Sequence, residues 1–526
     1  MMVALLSMAA LLHLEPLPDR SDIAEDLLGG QVPDQSRGTR VGLRSRPFQD
    51  LFVRLKCGLY APQMTCPLAC SFLVLFTIGE FLRGAANGQV ESVSVNTRNA
   101  QAVAEIVNGS RTVANAAWWG FDPADSTETL QAAVNSKATT LIVPYMGAPW
   151  VIRPIQLRGR QEIIFEPGVV MLAKKGEFRG TGDSLLSIVG QSNLVLRGYG
   201  AILRMHKPDY QAEPYKKGEW RMGIAIRGCK NVLIEGLRVE STGGDGFYVD
   251  GGADRGWSED ITIRNCTAYD NHRQGLSVIS AMNLAVENCV FASTRGTPPE
   301  AGIDLEPDTE ENRLVNCLIR NTVFQNNNGH QVLIHLKPLS RKSMPVSIRF
   351  ENCLAQMNDG RGTTIEPTPG KGLSGAAGIV VEDIRDDGPS GTIEFDHCVT
   401  QRTSKESLRI YDKSSQAVRV RFVNCAFNDS WASHEDTSRA VAAPIVLALR
   451  HPELTTHFGG LDFIDCNVYD HISRPPMRFE DRKGAGVLAD VKGTILVRAP
   501  GYVPVDLGQK RNTVDVKTLF EQKNSQ

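Results

Sequence analysis

Two carboxylates stand two residues apart in the segment AGIDLEPD, residues 301–308. Asp304 and Glu306 alternate with the apolar Ile303 and Leu305, which is the period of a β-strand with one polar and one apolar face. Two crowded carboxylates can divide acid–base work, because their repulsion keeps one protonated while the other stays ionised. The segment therefore indicates chemistry in which one proton is donated and another is accepted.

Other segments of the chain repeat this alternation and would position further polar side chains beside the pair. They are GIAIRG (223–228), GFYVDG (246–251), GLSVIS (275–280), HQVLIHLK (330–337), GIVVED (378–383) and SLRIYD (407–412). One parity is apolar and is predicted to point inward, so the other parity must point outward. The outward residues form a first column of Ala225, Tyr248, Ser277, Asp304, Leu333 and Val380, and a second of Arg227, Asp250, Ile279, Glu306, His335, Glu382 and Tyr411.

Stacking at the spacing of a β-sheet gives the candidate site its dimensions. Asp304 and Glu306 are expected about 6.6 Å apart, and Asp250 and Glu306, two segments apart, about 9.6 Å. We predict these three carboxylates as catalytic. Supporting roles are predicted for His335, Arg273, Asp245 and His272, and substrate binding for Tyr248, Lys337, Trp220, Tyr215, Trp257 and Arg227. Aromatic and basic groups suit the stacking of sugar rings and the pairing of their acidic substituents.

The cysteines reveal the elements that position these residues. Short alternating strands end at Cys266, Cys289, Cys353, Cys398, Cys425 and Cys466, and LIRNT places Thr322 at the same point of one further copy, with Cys317 off register. An apolar residue follows each cysteine two places on, so the thiols share the parity of the core and are predicted to be buried and unpaired. Most copies carry Asn before the cysteine (265, 288, 321, 352 and 424), which predicts a stacked ladder at one turn.

Repeats of about 23–45 residues built from short strands are typical of a solenoid. Helical periodicity is missing inside them, so we predict an all-β parallel β-helix over residues 139–500. The sole convincing helix precedes it at 125–136, where Asp125 is a predicted N-cap and Glu128 follows three residues on. That helix would form part of an N-terminal cap at 89–138 and cover the open first coil.

The remaining segments concern export. Residues 1–63 are predicted to be an unstructured extension or a mis-assigned start, and 501–526 a C-terminal tail. Residues 64–88 contain an apolar run from Leu68 to Ile78, too short to span a bilayer but suited to a signal peptide or an anchor. The protein is therefore expected to be secreted, periplasmic or at the cell surface. A formal net charge of −2 argues against nucleic-acid binding, and the sequence leaves the oligomeric state open.

The stretches WGFDPADSTETLQAAVNS (119–136) and TTLIVPYMG (139–147), followed by Asn-punctuated coils, resemble the entry into the pectin-lyase-like right-handed β-helix superfamily. The resemblance covers about residues 117–500 and implies a right-handed coil. DNHRQGLSVISAMNLAVENCVF (270–291) is similar to a coil of the alginate C5-epimerases. The Asp-Pro-His motif of those epimerases and the motif set of polygalacturonases are missing, so the resemblance implies the fold and neither activity.

Three functions fit these observations. The first is an inverting glycoside hydrolase acting on a polysaccharide or oligosaccharide, because the separation expected for Asp304 and Glu306 lies within the roughly 6.5–9.5 Å that inversion needs, and that for Asp250 and Glu306 lies at its edge. The second is a polysaccharide lyase or epimerase acting on uronates, with Ca²⁺ held by Asp250, Asp304 and Glu306 or with Arg and Lys neutralising the substrate. The third is a non-catalytic surface solenoid that binds glycans. Apart from Ca²⁺ in the second case, no cofactor is predicted.

Overall fold

The computed structural model describes residues 97–357, 377–431, 442–481, 483–509 and 512–523. The predicted extension at 1–63 and the predicted signal peptide or anchor at 64–88 lie outside these described residues. Across the described ranges, no helix has both the length and the apolar character needed to cross a membrane.

The described chain is a stack of parallel coils, each made of short strands in three sheets. Sheet 1 contains β4 (Ile155–Leu157), β7 (Leu186–Val189), β10 (Ile224–Arg227), β13 (Phe247–Asp250), β16 (Gln274–Val278), β19 (Ala301–Leu305), β22 (Val332–His335), β25 (Ile379–Ile384), β28 (Leu408–Lys413), β31 (Ile445–Leu449) and β33 (Met477–Asp481). Its strands pair in this order, each with the strand of the next coil. The predicted repeat of one strand per coil on this face is confirmed.

Two further ladders of parallel strands close each coil. Sheet 2 contains β1 (Val113–Asn115), β2 (Thr140–Val143), β5 (Gln161–Phe165), β8 (Ser192–Arg197), β11 (Lys230–Glu235), β14 (Ser258–Arg264), β17 (Ala281–Glu287), β20 (Leu314–Arg320), β23 (Val346–Glu351), β26 (Gly391–Asp396) and β29 (Arg419–Val423). Sheet 3 contains β3 (Trp150–Ile152), β6 (Val170–Ala173), β9 (Ile202–Arg204), β12 (Arg238–Glu240), β15 (Thr267–Tyr269), β18 (Val290–Ala292), β21 (Val323–Gln325), β24 (Leu354–Gln356), β27 (Val399–Gln401) and β30 (Ala426–Asn428). Both ladders continue into the long strand β32 (His457–Tyr469), which pairs with β34 (Val487–Ala499). In the segment predicted as a C-terminal tail, β35 (Asp515–Gln522) pairs in parallel with β34.

Helices occupy the start of the described chain. The predicted helix is present as α2 (Thr127–Val134), but its N-cap is Ser126, and Asp125 accepts a hydrogen bond from the Thr127 amide at 3.0 Å. Gln131 of α2 bonds both the amide and the carbonyl of Gln156 in β4, so this helix covers the first strand of sheet 1. The prediction of a sole helix was wrong, because α1 (Ala100–Asn108) precedes it. Short 3₁₀ turns lie at Ala116–Trp119 and Asp209–Gln211.

The interior of the coils is apolar and the thiols are part of it. The eight cysteines in the described ranges are all buried, and none forms a disulfide. Each ladder cysteine donates from Sγ to a backbone carbonyl, as Cys425 does to Phe395 at 3.3 Å. Thr322 fills the cysteine position of its coil and is fully buried. Aromatic rings stack in the same core, with centroids 5.1 Å apart for Phe395 and Phe422. The predicted burial of the thiols is confirmed.

The Asn residues before the cysteines turn the chain between sheets 2 and 3. Asn265, Asn288, Asn321, Asn352 and Asn424 all adopt a left-handed conformation with φ between 51° and 54°. Asn tolerates this region better than other residues that have a Cβ. The Asn288 amide donates to the Asn265 side chain at 3.3 Å, as expected of a ladder. A second ladder, which the sequence analysis missed, runs through Asp260, Asn283 and Asn316 at the start of the sheet 2 strands.

Core position makes the thiols inaccessible, and this gives a testable prediction. We expect the eight described cysteines to resist alkylation in the folded protein, and we expect a reductant to leave the thermal midpoint unchanged. Labelling followed by peptide mass mapping separates these residues from Cys57, Cys66 and Cys70, which lie outside the described ranges. Rapid labelling of Cys289 or Cys425, or a marked loss of thermal stability in reductant, would contradict buried free thiols.

Candidate active site

Sheet 1 brings the predicted outward residues into register. Tyr248 pairs with Ser277, Ser277 with Asp304, and Asp304 with Leu333. In the second column, the register pairs Arg227 with Asp250 and continues from His335 through Glu382 to Tyr411. The inward partners such as Ile303 and Leu305 are fully buried. The strand parity derived from the sequence is therefore correct.

The exposure of the first column differs from expectation. Asp304 and Ser277 are 0% and 1% exposed, and Leu333 and Val380 are also buried. Leu333 and Val380 belong to a small apolar cluster with Ala301 and Ala377, separate from the interior of the coils. The alternation of a strand defines the side of the sheet but not what covers that side, so a column predicted to face solvent is in fact covered.

Asp304 is a buried acid beside a second carboxylate. Its Oδ2 accepts a hydrogen bond from the Gln274 side chain at 2.8 Å, whereas its Oδ1 is buried without a partner among hydrogen-bond donors. Burial and the charge of Glu306 raise the pKa of Asp304 well above its usual value, and Glu306 is also its hydrogen-bond partner. Burial and the neighbouring negative charge both favour the protonated form of Asp304.

Arg273 links this pair to a third carboxylate. Its Nη2 donates to Glu306 at 3.0 Å, and its Nη1 lies 3.9 Å from the Oδ2 of Asp245. Asp245 is fully buried and accepts a hydrogen bond from Ser277 at 2.8 Å. Burial raises the pKa of Asp245 to about 7, although Arg273 and Ser277 oppose that rise. Of the predicted supporting residues, Arg273 thus contacts Glu306 directly, and Asp245 lies behind it, next to Arg273.

Asp250 lies two coils away and is held by two donors. The Tyr248 hydroxyl donates to its Oδ2 at 3.1 Å, and the Gly251 amide donates to its Oδ1 at 2.6 Å. Burial raises the pKa of Asp250, while these two bonds and the nearby Arg227 lower it by less. The Arg227 guanidinium stacks over the Tyr248 ring, 4.8 Å from its centroid. Asp250, Tyr248 and Arg227 therefore form a single group at one end of the site.

The predicted histidines occupy different surroundings. His272 is buried and bonds the Thr297 hydroxyl at 2.9 Å, and burial lowers the pKa of this imidazole to about 4. Burial would also lower the pKa of His335, but Glu382 and Asp383, at 3.6 and 3.8 Å, outweigh it and raise that pKa. His272 is therefore neutral at neutral pH and fits a positioning role, whereas the protonated form of His335 is favoured by its acidic neighbours on the next coil. The nearby Lys337 is exposed.

The predicted sugar-binding aromatic residues divide into covered and open rings. Tyr215 is only 7% exposed, and its hydroxyl accepts a hydrogen bond from the Gly176 amide, so its prediction as a sugar platform is not supported. Trp257 is half-buried, with the Arg313 guanidinium 3.3 Å from its ring centroid. Trp220 is 48% exposed and is the remaining candidate for stacking on a sugar.

The loop that carries Trp220 is anchored by Arg221. This arginine is fully buried, donates from Nε to the Phe178 carbonyl at 2.8 Å, and lies over the Tyr210 and Tyr215 rings at 5.2 and 5.9 Å. Sequence reasoning counted Tyr215 among the contacts to substrate because loop aromatic residues are common in binding sites. Its actual partners are groups of the protein itself, which fix the loop over residues 206–221.

Sheet 1 carries a second polar cluster, in which Glu382 and Tyr411 of the second column meet Arg450 and Asp412, two residues that the sequence analysis missed. Arg450 follows β31, stacks 3.7 Å from the Tyr411 ring centroid and donates to Asp412 and Glu382 at 3.4 Å. The Asp412 side chain also accepts from the Arg450 amide at 2.6 Å. The cluster could have been recognised from the aspartates near the ends of β25 and β28. Asp383 and Asp412 both have positive φ, a conformation that Asp tolerates better than most residues.

The carboxylates suggested as Ca²⁺ ligands are not gathered around one point. Among the described residues, the group whose ligand atoms all lie within 4.8 Å of one another is Asp429, Asp470 and His471, at a different turn. Asp470 there pairs with the buried Arg474. Asp250, Asp304 and Glu306 do not form such a group.

Comparison with known proteins agrees with the fold. The family described as right handed beta helix region matches residues 217–368. The protein YclG of Bacillus subtilis (strain 168) is 28% identical over 197 residues, which cover 34% of this chain and 33% of YclG. The chain thus spans about a third of the length of the curated relatives it matches.

Solved structures are similar to the chain at low sequence identity. PfbA, a surface adhesin of Streptococcus pneumoniae, is 12% identical with a TM-score of 0.51, over 78% of this chain and 92% of that one. The catalytic unit of the GH87 alpha-1,3-glucanase from Streptomyces thermodiastaticus strain HF3-3 is 14% identical with a TM-score of 0.49, over 78% and 68%. The chain has a right-handed parallel β-helix fold, as the sequence resemblance implied.

Proposed function

We propose that the protein is an exported glycoside hydrolase that cleaves a polysaccharide on the outer side of sheet 1. The observation that supports this most strongly is the full burial of Asp304 beside Glu306, because burial and the Glu306 charge raise the pKa of the Asp304 carboxyl well above its usual value. A carboxyl that retains its proton near neutral pH is what a general acid requires. Export rests on the apolar run from Leu68 to Ile78, outside the described residues.

Glu306 is the member of the pair that can deliver the proton. Asp304 is fully buried, whereas the Glu306 side chain is 34% exposed. In the proposed reaction a proton passes from Asp304 through Glu306 to the leaving glycosidic oxygen, as the bond between that oxygen and the anomeric carbon breaks. Arg273 fixes the Glu306 carboxylate by its 3.0 Å hydrogen bond and stabilises the negative charge left on the pair.

Asp250 is the proposed base. It lies two coils from Glu306, a separation of about 9.6 Å at the spacing of parallel strands. Inverting hydrolases place their two carboxyl groups about 6.5–9.5 Å apart so that water fits between them. Asp250 would take a proton from that water as the water attacks the anomeric carbon. Asp304 and Glu306 are not the proposed acid–base pair of an inverting reaction, because a side-chain hydrogen bond between them leaves no room for water.

A polysaccharide panel read in two ways tests the proposal. We expect new reducing ends on at least one glycan, no ultraviolet absorbance of unsaturated uronate, and rates that a chelator leaves unchanged, because the carboxylates act as acid and base. Unsaturated products, or activity lost in EDTA and restored by Ca²⁺, would show a lyase or epimerase instead. Glycan binding without turnover on any member of the panel would show a binding solenoid.

A further inference from the structure

The strand β35 has one edge that no described strand covers. Among the residues that the structure describes, β35 forms a ladder with β34 alone. Two large apolar side chains of β35 are open to solvent, Leu519 at 41% and Phe520 at 37% exposed. A strand edge of this kind is a template for pairing with another chain.

The backbone of β35 determines which of its residues can pair across the open edge. The Lys523 amide donates to the Ala499 carbonyl of β34 at 3.1 Å. Because the backbone groups of successive residues in a strand point to opposite edges, those of the odd-numbered residues point to β34. The N–H and C=O groups that point to the open edge belong to Val516, Thr518, Phe520 and Gln522. A partner strand must form its hydrogen bonds with these four residues.

The odd-numbered residues carry alternating charge around a central leucine. They are Asp515, Lys517, Leu519, Glu521 and Lys523, and all are exposed. Across the described ranges, neither Asp515 nor Lys517 forms an ion pair. Glu521 binds Arg498 at 2.8 Å, and Lys523 lies over the Tyr469 ring. In the reverse direction the series is Lys, Glu, Leu, Lys and Asp, so an antiparallel copy of the strand offers the opposite charge at each charged position.

A register centred on Leu519 satisfies the backbone. With Leu519 opposite the same residue of a second copy, Thr518 lies opposite Phe520. Val516 then lies opposite Gln522. Every pair joins two residues whose N–H and C=O groups point to the open edge, which is the hydrogen-bonded pair of an antiparallel ladder.

Charge selects this register over its neighbours. It places Lys517 opposite Glu521 and Asp515 opposite Lys523, each pair occurring twice. A register centred on residue 518 keeps the backbone pairing but places Asp515 opposite Glu521. A register centred on residue 520 places Lys517 opposite Lys523. Like charges directly opposite one another destabilise a pair of strands, whereas opposite charges stabilise it.

We propose that the protein forms a two-fold symmetric dimer through β35, with the two strands antiparallel and Leu519 on the symmetry axis. The partner at the open edge is a second copy of this chain. The interface is isologous, so it closes at two copies and uses the open edge of both. It pairs the outward backbone groups of β35 and covers Leu519 and Phe520.

Complementary charge reversal tests the dimer. Lys517→Glu places a glutamate opposite Glu521, and Glu521→Lys places a lysine opposite Lys517. By sedimentation velocity over a concentration series, we expect the wild type to dimerise and each variant to self-associate at least about tenfold more weakly. An equimolar mixture of the two variants should regain the wild-type affinity, because all the facing charges in a mixed dimer are opposite.

Two further variants make the result specific. Thr518→Pro removes an N–H group of the open edge and none of the bonds to β34, so it should also dissociate the dimer while circular dichroism stays unchanged. The control Lys175→Glu, at an exposed lysine after β6, should dimerise as the wild type does. A wild type that is monomeric at every concentration, association that is equal in Lys517→Glu, or a mixture that stays monomeric would overturn the proposal. Association that continues beyond two copies would overturn it as well.

Discussion

Asp304→Asn is expected to lower kcat/KM on the cleaved polysaccharide by about 10²–10⁴-fold, the usual contribution of a general acid. The asparagine side chain keeps an oxygen that accepts from Gln274, and its NH₂ group can donate to Glu306 where the protonated Asp304 carboxyl did. The packing around residue 304 should therefore survive. Asparagine cannot give up a proton to a leaving group. Initial rates at matched enzyme concentration, with circular dichroism to verify the fold, measure the effect.

Glu306→Gln should lower kcat/KM by a similar factor. The control variant Asp396→Asn, on sheet 2 and paired with Arg349, should leave kcat/KM unchanged. The pair must carry its proton to act, so wild-type kcat/KM should fall as pH rises through the raised pKa of Asp304. Wild-type activity in the Asp304→Asn/Glu306→Gln double variant would show that the segment AGIDLEPD is only a polar stripe. Circular dichroism of each single variant shows whether a loss of activity comes from the missing carboxyl or from unfolding.

Asp245→Asn is expected to lose less free energy of unfolding than the wild type as pH rises. Burial raises the pKa of Asp245 from 3.8 to about 7 in the folded state. The folded protein therefore binds the proton more tightly than the unfolded chain, so the contribution of Asp245 is full below pH 3.8 and is lost as pH rises through about 7. A displacement of that size corresponds to about 4 kcal/mol in the free energy of unfolding.

Denaturant unfolding of the two proteins at several pH values measures this difference. The free energy of unfolding of Asp245→Asn, relative to that of the wild type, should increase by up to about 4 kcal/mol from pH 3.8 to about pH 7, because asparagine does not titrate. Titrating groups distant from Asp245 are common to both proteins and cancel in the comparison. A constant offset at every pH would mean that Asp245 is ionised in the folded protein.

The repeat itself could be read from the sequence because every coil repeats the same local rules. Alternation assigned Ile303 and Leu305 to the interior and Asp304 to the opposite side, and the position of Thr322 showed that a small side chain was needed where other coils have cysteine. Parity and register depend only on the strand and its two neighbours in the stack. Such local constraints are visible in one sequence.

The burial of Asp304 could not be predicted in the same way. It depends on segments that cover the outer side of sheet 1, and their position follows from loop contacts distant in sequence. The contact between Asp304 and Glu306 also depends on side-chain conformations, so the predicted 6.6 Å described the backbone spacing rather than the carboxyl groups. By contrast, α1 was missed although Asn99 and Gly109 supply an N-cap and a C-cap that could have been recognised.

The ladders of asparagine and cysteine have a consequence for how such a site can change over generations. Each coil meets its neighbours through the same contacts, so whole coils can be gained or lost without altering the interfaces that remain. Gain of one coil between β13 and β19 would move Asp250 away from Glu306 by about 4.8 Å, and loss of one would bring them closer by the same amount. The distance between the proposed base, Asp250, and the proposed acid, Glu306, can therefore change only by whole coils. Smaller changes must come from side-chain length, as between Asp and Glu.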